Sequence, residues 1–496
     1  MFTSQSTIVK RASADVVVVP FWSFKNKAKE AVSLKEISDD LVISSALVGF
    51  EGKLGEIRVV YRHSPAEKIV LLLGLGNEEE INADSVRKVY GILTTFCNKE
   101  KWSSVNVVLP SVSKLNRIPA STFVECLAEG VLSANYLLPR YGNFSKEKRS
   151  QIENLSLYGL VPAVAEPIFK RIQNIYQGVY LTRDLVNGNA DDVTPGFLAD
   201  TAKALGKSFP KLNVTVLDKK FINEKMGLFS AVAKGASVPP KFIIMKYEGR
   251  PRSKDVSVFI GKGITYDTGG LDLKPGKAML TMKEDMAGGA TVLGIMQAVC
   301  TLDVKANIIG IIPATENAIG AAAYKQGDVY VSYSGDSVEI GSTDAEGRLV
   351  LADAISYAVK NFHPARIIDF ATLTGAMVIS LGEDIAGMFC NNDAMADFLL
   401  NSSLTTGEAV WRLPLYAGYD KALKSDIADM KNIGSNRSGA ITAALFLQRF
   451  VKDTAWAHFD IAGTAYHNES DDYLPKYATG FGVRLITSYI MDILAS

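Results

Sequence analysis

The sequence is poor in the residues on which several enzyme classes depend. Its 496 residues include only four cysteines and four histidines. The cysteines, Cys97, Cys126, Cys300 and Cys390, lie far apart, which indicates neither a disulfide framework nor a thiolate zinc site. No histidines form an H-E-x-x-H motif, and no serine lies in a G-x-S-x-G elbow. We therefore expect a reducing compartment and a chemistry that depends on other residue types.

Net charge and long apolar runs are also missing. Basic and acidic residues both number 53, so no overall field attracts nucleic acid or an anionic membrane. No uninterrupted apolar run approaches the roughly 20 residues that span a bilayer, and Met1 to Asp15 contain no apolar signal core. We expect a soluble, cytoplasmic protein that acts on a small molecule or peptide and binds neither nucleic acid nor membrane. An organellar address stays open.

Short β-branched runs alternate along the chain with amphipathic helical patterns, as in parallel sheets covered by helices. The predicted strands are Val16–Val19, Ile69–Leu73, Val105–Leu109 and Leu155–Val161, followed by Leu212–Leu217, Phe242–Lys246, Val256–Ile260, Ile308–Ile312, Ile367–Phe370 and Trp456–Asp460. The predicted helices include Val86–Cys97, Ala120–Leu138 and Pro167–Val186. The length exceeds the roughly 100–200 residues of one ordinary domain.

The predicted fold class is therefore α/β, with two domains, each a mixed or mostly parallel sheet flanked by helices, joined by a long helix. We expect an N-terminal domain over residues 1–165, a linker helix over 166–187 and a larger α/β domain over 188–496. The helical pattern ends at the breaker cluster Asn187, Gly188 and Asn189.

A glycine-rich segment follows the predicted strand Val256–Ile260. It reads GKGITYDTGG over residues 261–270, contains Lys262 and Asp267, and is followed by Lys274. Ligands of open α/β sheets bind beyond the carboxyl ends of strands, which is where this segment begins. The P-loop order of glycines, lysine and serine or threonine is absent, so nucleotide binding has little support.

A second segment, MKEDMAGGA over residues 282–290, places Asp285 shortly before a small-residue helical run from Ala290 to Val299. An aspartate near a helix start is more often a cap than a ligand. Asp285 alone therefore does not indicate a site.

The third segment, GSTDAEGR over residues 341–348, precedes an apolar helical pattern. If Asp344 to Arg348 is extended, the side chains of Asp344, Glu346 and Arg348 point to one side. The alternative is a solvated turn in which the acids pair with Arg348.

Together the three segments offer four carboxylates, Asp267, Asp285, Asp344 and Glu346. Such a set can balance roughly the charge of two divalent cations. Oxygen ligands and bridging carboxylates suit two metal ions roughly 3.5–4 Å apart. The sequence thus favours a two-metal hydrolase.

These segments resemble the cytosol-type leucyl aminopeptidases, a family of two-metal enzymes. The run TDAEGRL over residues 343–349 is similar to the family signature, and GKGITYDTGG is similar to its metal loop. Further similarity lies in RDLVN at 183–187, ATLTGA at 371–376, ITAA at 441–444 and WAHFDIAGT at 456–464. The first 160 residues resemble the family in strand order only.

The resemblance implies an aminopeptidase that releases leucine and other apolar N-terminal residues from short peptides, with its catalytic domain over 188–496. It assigns Lys262, Asp267, Asp285 and Glu346 to one metal ion, and Asp267, Asp344 and Glu346 to the other. Asp267 and Glu346 would bridge the pair. The ions would be Zn²⁺ or Mn²⁺, with Co²⁺ or Mg²⁺ as alternatives.

The resemblance also implies roles for other residues. Lys274 would stabilise the oxyanion, and Arg348 would hold a bicarbonate that acts as general base. Met282, Thr372 and Gly375 are expected in the substrate pocket. A homohexamer is implied, with the second domains at its centre.

Serine at position 342 departs from the family signature, which usually has asparagine there, and no implied ligand is lost. Two other functions stay open. A cysteinylglycine dipeptidase would carry the same ligands. A DNA-binding or scaffold protein without turnover is less consistent with zero net charge and with the presence of Lys274 and Arg348.

Overall fold

A computed structural model gives the fold of the chain. It describes residues 1–8, 11–25, 27–32, 46–61, 67–110, 115, 117–147, 149–434 and 437–494. The chain forms two compact units. The first comprises Met1–Tyr176 and Glu469–Lys476, and the second comprises Gln177–Asn468 and Tyr477–Ser496. None of the described helices has the length and hydropathy of a membrane span.

The first unit contains a mixed, mostly parallel sheet of seven described strands. Their hydrogen-bonded order is Phe2–Gln5, Asn154–Tyr158, Ser104–Val108, Val16–Phe24, Ile69–Gly74 and Ile57–Tyr61, with Lys27–Glu30 paired to Val16–Phe24. The helices of this unit are Ala83–Glu100, Ala120–Ala134 and the 3₁₀ helix Gly142–Lys146. The central strand is buried from Val16 to Trp22, as expected for a continuous apolar run covered on both faces.

The segment Glu469–Lys476 belongs to the first unit although it lies late in the chain. Its Tyr473 packs against Gly91 of the helix Ala83–Glu100, where an added Cβ would lie 2.2 Å from the Tyr473 Cβ. Asp472 forms an ion pair with Lys88 of the same helix at 3.3 Å. This contact therefore requires glycine at position 91.

The helix Pro162–Asn187 includes the boundary between the two units and extends the predicted helix at both ends. Two other predicted ends were too late. The helix from Ala120 ends at Ala134 because the Asn135 side chain bonds both backbone groups of Ile152. The strand from Asn154 ends at Tyr158, before Gly159 turns the backbone with a φ of 91°.

The second unit is built on a mixed sheet of nine described strands. Their order is Val410–Arg412, Ala386–Cys390, Ala455–Asp460, Arg366–Ala371, Val256–Gly261, Asn307–Asn317, Lys241–Glu248 and Leu212–Leu217, with Gly263–Asp267 paired to Asn307–Asn317. Every predicted strand overlaps an observed strand, and the α/β class is confirmed.

Helices cover both faces of this sheet. They are Pro195–Ser208, Lys219–Lys225, Gly227–Ala233, Ala287–Leu302, Gly347–Phe362, Gly375–Leu381, Asp393–Thr406, Gly439–Val451 and Val483–Tyr489, with a π-helical turn at Ile490–Leu494. Short 3₁₀ helices lie at Gly276–Met279, Met282–Glu284 and Ala417–Leu423, and small sheets join Val329–Val331, Ser337–Glu339 and Met430–Lys431, and Tyr466–His467 with Tyr477–Ala478. Successive strand residues such as Ile243 and Ile244 enter different apolar cores, because side chains alternate between faces.

The parallel strands at the middle of this sheet end on one edge. The strand Val256–Gly261 is followed by Lys262, and its neighbour Arg366–Ala371 is followed by Thr372. The short strand Gly263–Asp267 ends at a further polar residue. Polar side chains distant in sequence are thereby brought together at the carboxyl ends of the strands.

Candidate functional site

Lys262 lies at the centre of the polar cluster and is only 2 % exposed. Its Nζ donates to Asp285 Oδ1 at 2.7 Å and to the Thr372 carbonyl at 2.8 Å, and it lies 2.9 Å from Glu346 Oε1. Gly347 leaves room for this side chain, since a Cβ there would lie 2.6 Å from Lys262 Cε. The ammonium group therefore joins residues from three separate segments.

Lys274 joins the other acids. Its Nζ lies 2.8 Å from Asp267 Oδ2 and 2.6 Å from Asp344 Oδ1. Asp267 Oδ1 is held by two donors, the Gly269 amide and Asn317 Nδ2, each at 2.8 Å. Asp267 is thus fixed by its neighbours, with one oxygen directed towards Lys274.

The segment around Asp344 is not extended, so the conditional prediction for residues 344–348 was wrong. A turn covers Thr343 and Asp344, Glu346 has helical backbone angles, and the helix begins at Gly347. The helix Gly347–Phe362 agrees with the predicted apolar pattern. Asp344 and Glu346 still converge on one site because the turn, rather than alternation along a strand, aims their side chains.

Asn432 holds this turn in place and is completely buried. Its Oδ1 accepts from the amides of Gly341 and Ser342, at 2.8 and 3.2 Å. Its Nδ2 donates to the carbonyls of Ser342 and Ala345, and its own carbonyl accepts from Arg348 Nη1 at 2.9 Å. One side chain therefore determines the shape of the segment that carries two of the acids.

Ser342, the departure from the family signature, has a partner in this turn. Its hydroxyl donates to Asp272 Oδ2 at 2.8 Å and accepts from the Asp344 amide at 3.1 Å. Serine is therefore compatible with the position of Asp344.

The carboxylates have the chemistry and spacing of a metal site. Ligand atoms of Asp267, Asp344 and Glu346 lie within 4.8 Å of one another. Asp285 Oδ2 and Glu346 Oε2 are buried and have no hydrogen-bond partner. Buried polar atoms are normally paired, so these two oxygens are free for a cation. The four carboxylates also outnumber the two ammonium groups among them. The residues present therefore fit divalent metal ions.

The proximity of the acids changes their pKa values. Burial and the charge of Glu346 raise the pKa of Asp267 to about 6, although Lys274 and Lys262 oppose the shift. Burial also raises the pKa of Asp285, against the effect of Lys262. For Glu346, the two lysines outweigh burial and lower its pKa. The cluster therefore favours any added positive charge.

Both lysines have raised pKa values in this site. Burial opposes the charge of Lys262, but Asp285, Glu346 and Asp267 outweigh it. Burial likewise opposes the charge of Lys274, and Asp267, Glu346 and Asp344 outweigh it. Both side chains are ammonium ions here, so Lys262 can serve as a neutral ligand only if a metal ion displaces its proton.

Arg348 lies beside the acids and is 6 % exposed. Burial lowers the pKa of its guanidinium to about 10, against the charges of Glu346, Asp460 and Asp344. Its Nε has no hydrogen-bond partner. Arg348 therefore retains a buried donor that can bind an anion.

A cavity of about 550 Å³ opens over the cluster. Every residue predicted for the site lines it, namely Lys262, Asp267, Lys274, Met282, Asp285, Asp344, Glu346, Arg348, Thr372 and Gly375. Thr372 also has a second contact, because its hydroxyl donates to Asp285 Oδ1 at 2.8 Å.

Sequence reasoning missed three residues of this region. Asn317 stands at the carboxyl end of its strand, a position that the strand rule could have identified. Glu284 precedes Asp285 in the acidic segment and also lines the cavity. Asn432 had no signal, because its role depends on a contact with a segment about ninety residues away in sequence.

Comparisons with known proteins agree with this site. Residues 180–487 match the model of the cytosol aminopeptidase family, catalytic domain, and residues 18–143 match that of its N-terminal domain. The chain is 56 % identical to proteins named "Probable cytosol aminopeptidase" from Chlamydia abortus and from Chlamydia trachomatis serovar D. The first alignment covers 100 % of this chain and 99 % of its relative, and the second covers 99 % of each.

A solved structure has the same fold. The bottromycin maturation enzyme BotP in complex with Mn is similar with a TM-score of 0.85 and 30 % identity, over 98 % of this chain and 100 % of that one. The family match covers more than half of the chain and contains the whole carboxylate cluster. This chain therefore belongs to the cytosol aminopeptidase family of peptidases.

Proposed function

We propose that the protein is a metal-dependent aminopeptidase that removes N-terminal residues from short peptides. The observation that carries the proposal is the cluster of four acids and two lysines at the wall of a cavity of about 550 Å³. Its excess of carboxylates attracts both metal ions and the amino group of an unblocked peptide.

Two divalent ions would be held by five residues. Lys262, Asp267, Asp285 and Glu346 would hold one, and Asp267, Asp344 and Glu346 the other. Zn²⁺ or Mn²⁺ is proposed, with Co²⁺ or Mg²⁺ as alternatives, because oxygen-rich sites accept several of these ions. When bound, the ions polarise the scissile carbonyl and lower the pKa of water.

Lys274 stabilises the charge that develops on the carbonyl oxygen. It is a cation near two of the acids, so it can turn from them towards a developing oxyanion. Arg348 holds a bicarbonate as proton acceptor, and its unpartnered Nε supports this role. Asn432 keeps Arg348 and the acidic turn in register.

Part of the cavity is apolar and suits the side chain of the released residue. Met282, Val378 and Gly375 line it next to Thr372. Such a wall favours leucine and similar residues through the burial of apolar surface. We therefore propose an enzyme with leucyl aminopeptidase activity.

Acetylating the N-terminus of a substrate should lower kcat/KM by about 100-fold or more, since the oriented contact of the amino group is lost. The measurement compares leucyl-glycine amide with its N-acetyl form. A leucyl peptide extended at its C-terminus is the control, and should still be cleaved. Comparable rates on blocked and free substrates would indicate an endopeptidase.

The family resemblance also leads us to propose a homohexamer. Light scattering of the metal-loaded protein should give six times the mass of one chain, which is 53.6 kDa. A monomer that is fully active at assay dilution would remove any catalytic need for assembly.

A further inference from the structure

Glu284 is a buried carboxylate in the cavity that the proposed mechanism does not use. It ends the 3₁₀ helix Met282–Glu284 and is 9 % exposed. Its Oε2 has no hydrogen-bond partner. A buried carboxylate oxygen without a partner is unfavourable unless a ligand supplies one.

Glu284 and its neighbour Asp285 face different groups. Asp285 contacts Lys262 and the Thr372 hydroxyl, within the metal cluster. The groups that act electrostatically on Glu284 are instead Lys283 and Glu383, and Glu284 in turn acts on Tyr466. The cavity thus has a second acidic region, lined by Glu284 and Glu383, apart from the proposed ligands.

No basic side chain among the described residues forms an ion pair with Glu284. Lys283 follows Met282 in the same short helix, but its Nζ donates to the Asn187 carbonyl at 2.9 Å. Glu383 is exposed at the cavity and adds a second negative charge. The missing partner of this region is therefore a cation.

We propose that Glu284 is a specificity residue that binds the terminal cation of a lysine or arginine side chain at the substrate N-terminus. This inference rests on the proposed aminopeptidase function and names an additional substrate class for it. The apolar stem of such a side chain can pack on Met282 and Val378, which line the same cavity. The ring of Tyr466 offers a face for the cation.

The test uses pairs of substrates that differ only in the terminal charge. Lysine is paired with norleucine and arginine with citrulline, each as the aminoacyl amide, on the metal-loaded enzyme. Glu284→Gln keeps the size of the side chain and removes its charge. The ratio of kcat/KM for lysine over norleucine should fall by about 10- to 100-fold in this variant, the range of one charge-assisted hydrogen bond.

Glu248→Gln is the matched control, because Glu248 is an exposed carboxylate that ends the strand Lys241–Glu248. This control should leave the ratio unchanged. An unchanged ratio in Glu284→Gln would overturn the proposal, and so would an equal loss on both substrates, which would place the carboxylate near the α-amino group. If the unaltered enzyme cleaves neither substrate, the proposed function fails first.

Discussion

Replacing Asp267 with asparagine is expected to lower kcat/KM by more than about 100-fold and to reduce the metal content below two ions per chain. Even outer partners of metal ligands are worth about 10–100-fold, and Asp267 is proposed to contact both ions. Asparagine keeps an oxygen for the Gly269 amide and Asn317 Nδ2, so the loop can keep its shape. Elemental analysis and steady-state kinetics on the same sample measure both effects.

The comparison that gives this test its meaning is Asp344→Asn. The Asp344 side chain is 39 % exposed and is proposed to contact one ion only. It should lose less metal than the Asp267 variant, and Glu346→Gln should behave like the latter. Equal metal content in all three would contradict the bridging assignment. A chelator should also abolish the activity, and added divalent ions should restore it. Activity in a demonstrably metal-free sample would rule out the metal mechanism.

Lys274→Ala is expected to lower kcat by about 10²–10³-fold while both metal ions stay bound, the loss typical of one oxyanion donor. Lys262→Ala should instead weaken one metal site, and excess metal should recover part of the rate by mass action. The two lysines differ in exposure as well. The Lys262 side chain is 3 % exposed, and that of Lys274 is 15 % exposed. Only Lys274 is therefore reached readily from the cavity.

Circular dichroism should accompany these kinetics, because removal of Lys262 leaves Asp285 and Glu346 buried without a countercharge, which is destabilising. Metal stoichiometry decides the outcome. If Lys274→Ala loses metal while Lys262→Ala keeps two ions, the roles of the two residues are reversed.

The strands and the principal site residues could be predicted from the sequence for physical reasons. Parallel strands buried on both faces, such as Val256–Gly261, appear as continuous apolar runs. The residues that follow them, Lys262 among them, must lie on one edge. Asp285 was a doubtful case, since its segment also suited a helix cap. In the structure, no side-chain cap is present on the helix Ala287–Leu302, and Asp285 pairs with Lys262.

The remaining features depend on contacts that no local pattern encodes. The backbone of the segment around Glu346 is set by Asn432, so a strand-like geometry was a reasonable reading of the sequence but an incorrect one. The burial of Glu284 was equally invisible, because a charged residue between Lys283 and Asp285 resembles a solvated surface. Its burial raises its pKa to about 8, a shift that only the fold can produce.

The contact between Gly91 and Tyr473 has a consequence for biosynthesis. A ribosome releases the chain from its N-terminus, and domains made of continuous sequence can fold as they emerge. The first unit is denied that option in full, since its helix Ala83–Glu100 acquires Tyr473 and Asp472 only after nearly all of the second unit has been translated. Until then the surface around Gly91 stays uncovered, and a nascent chain stalled before residue 473 would present it to chaperones and proteases.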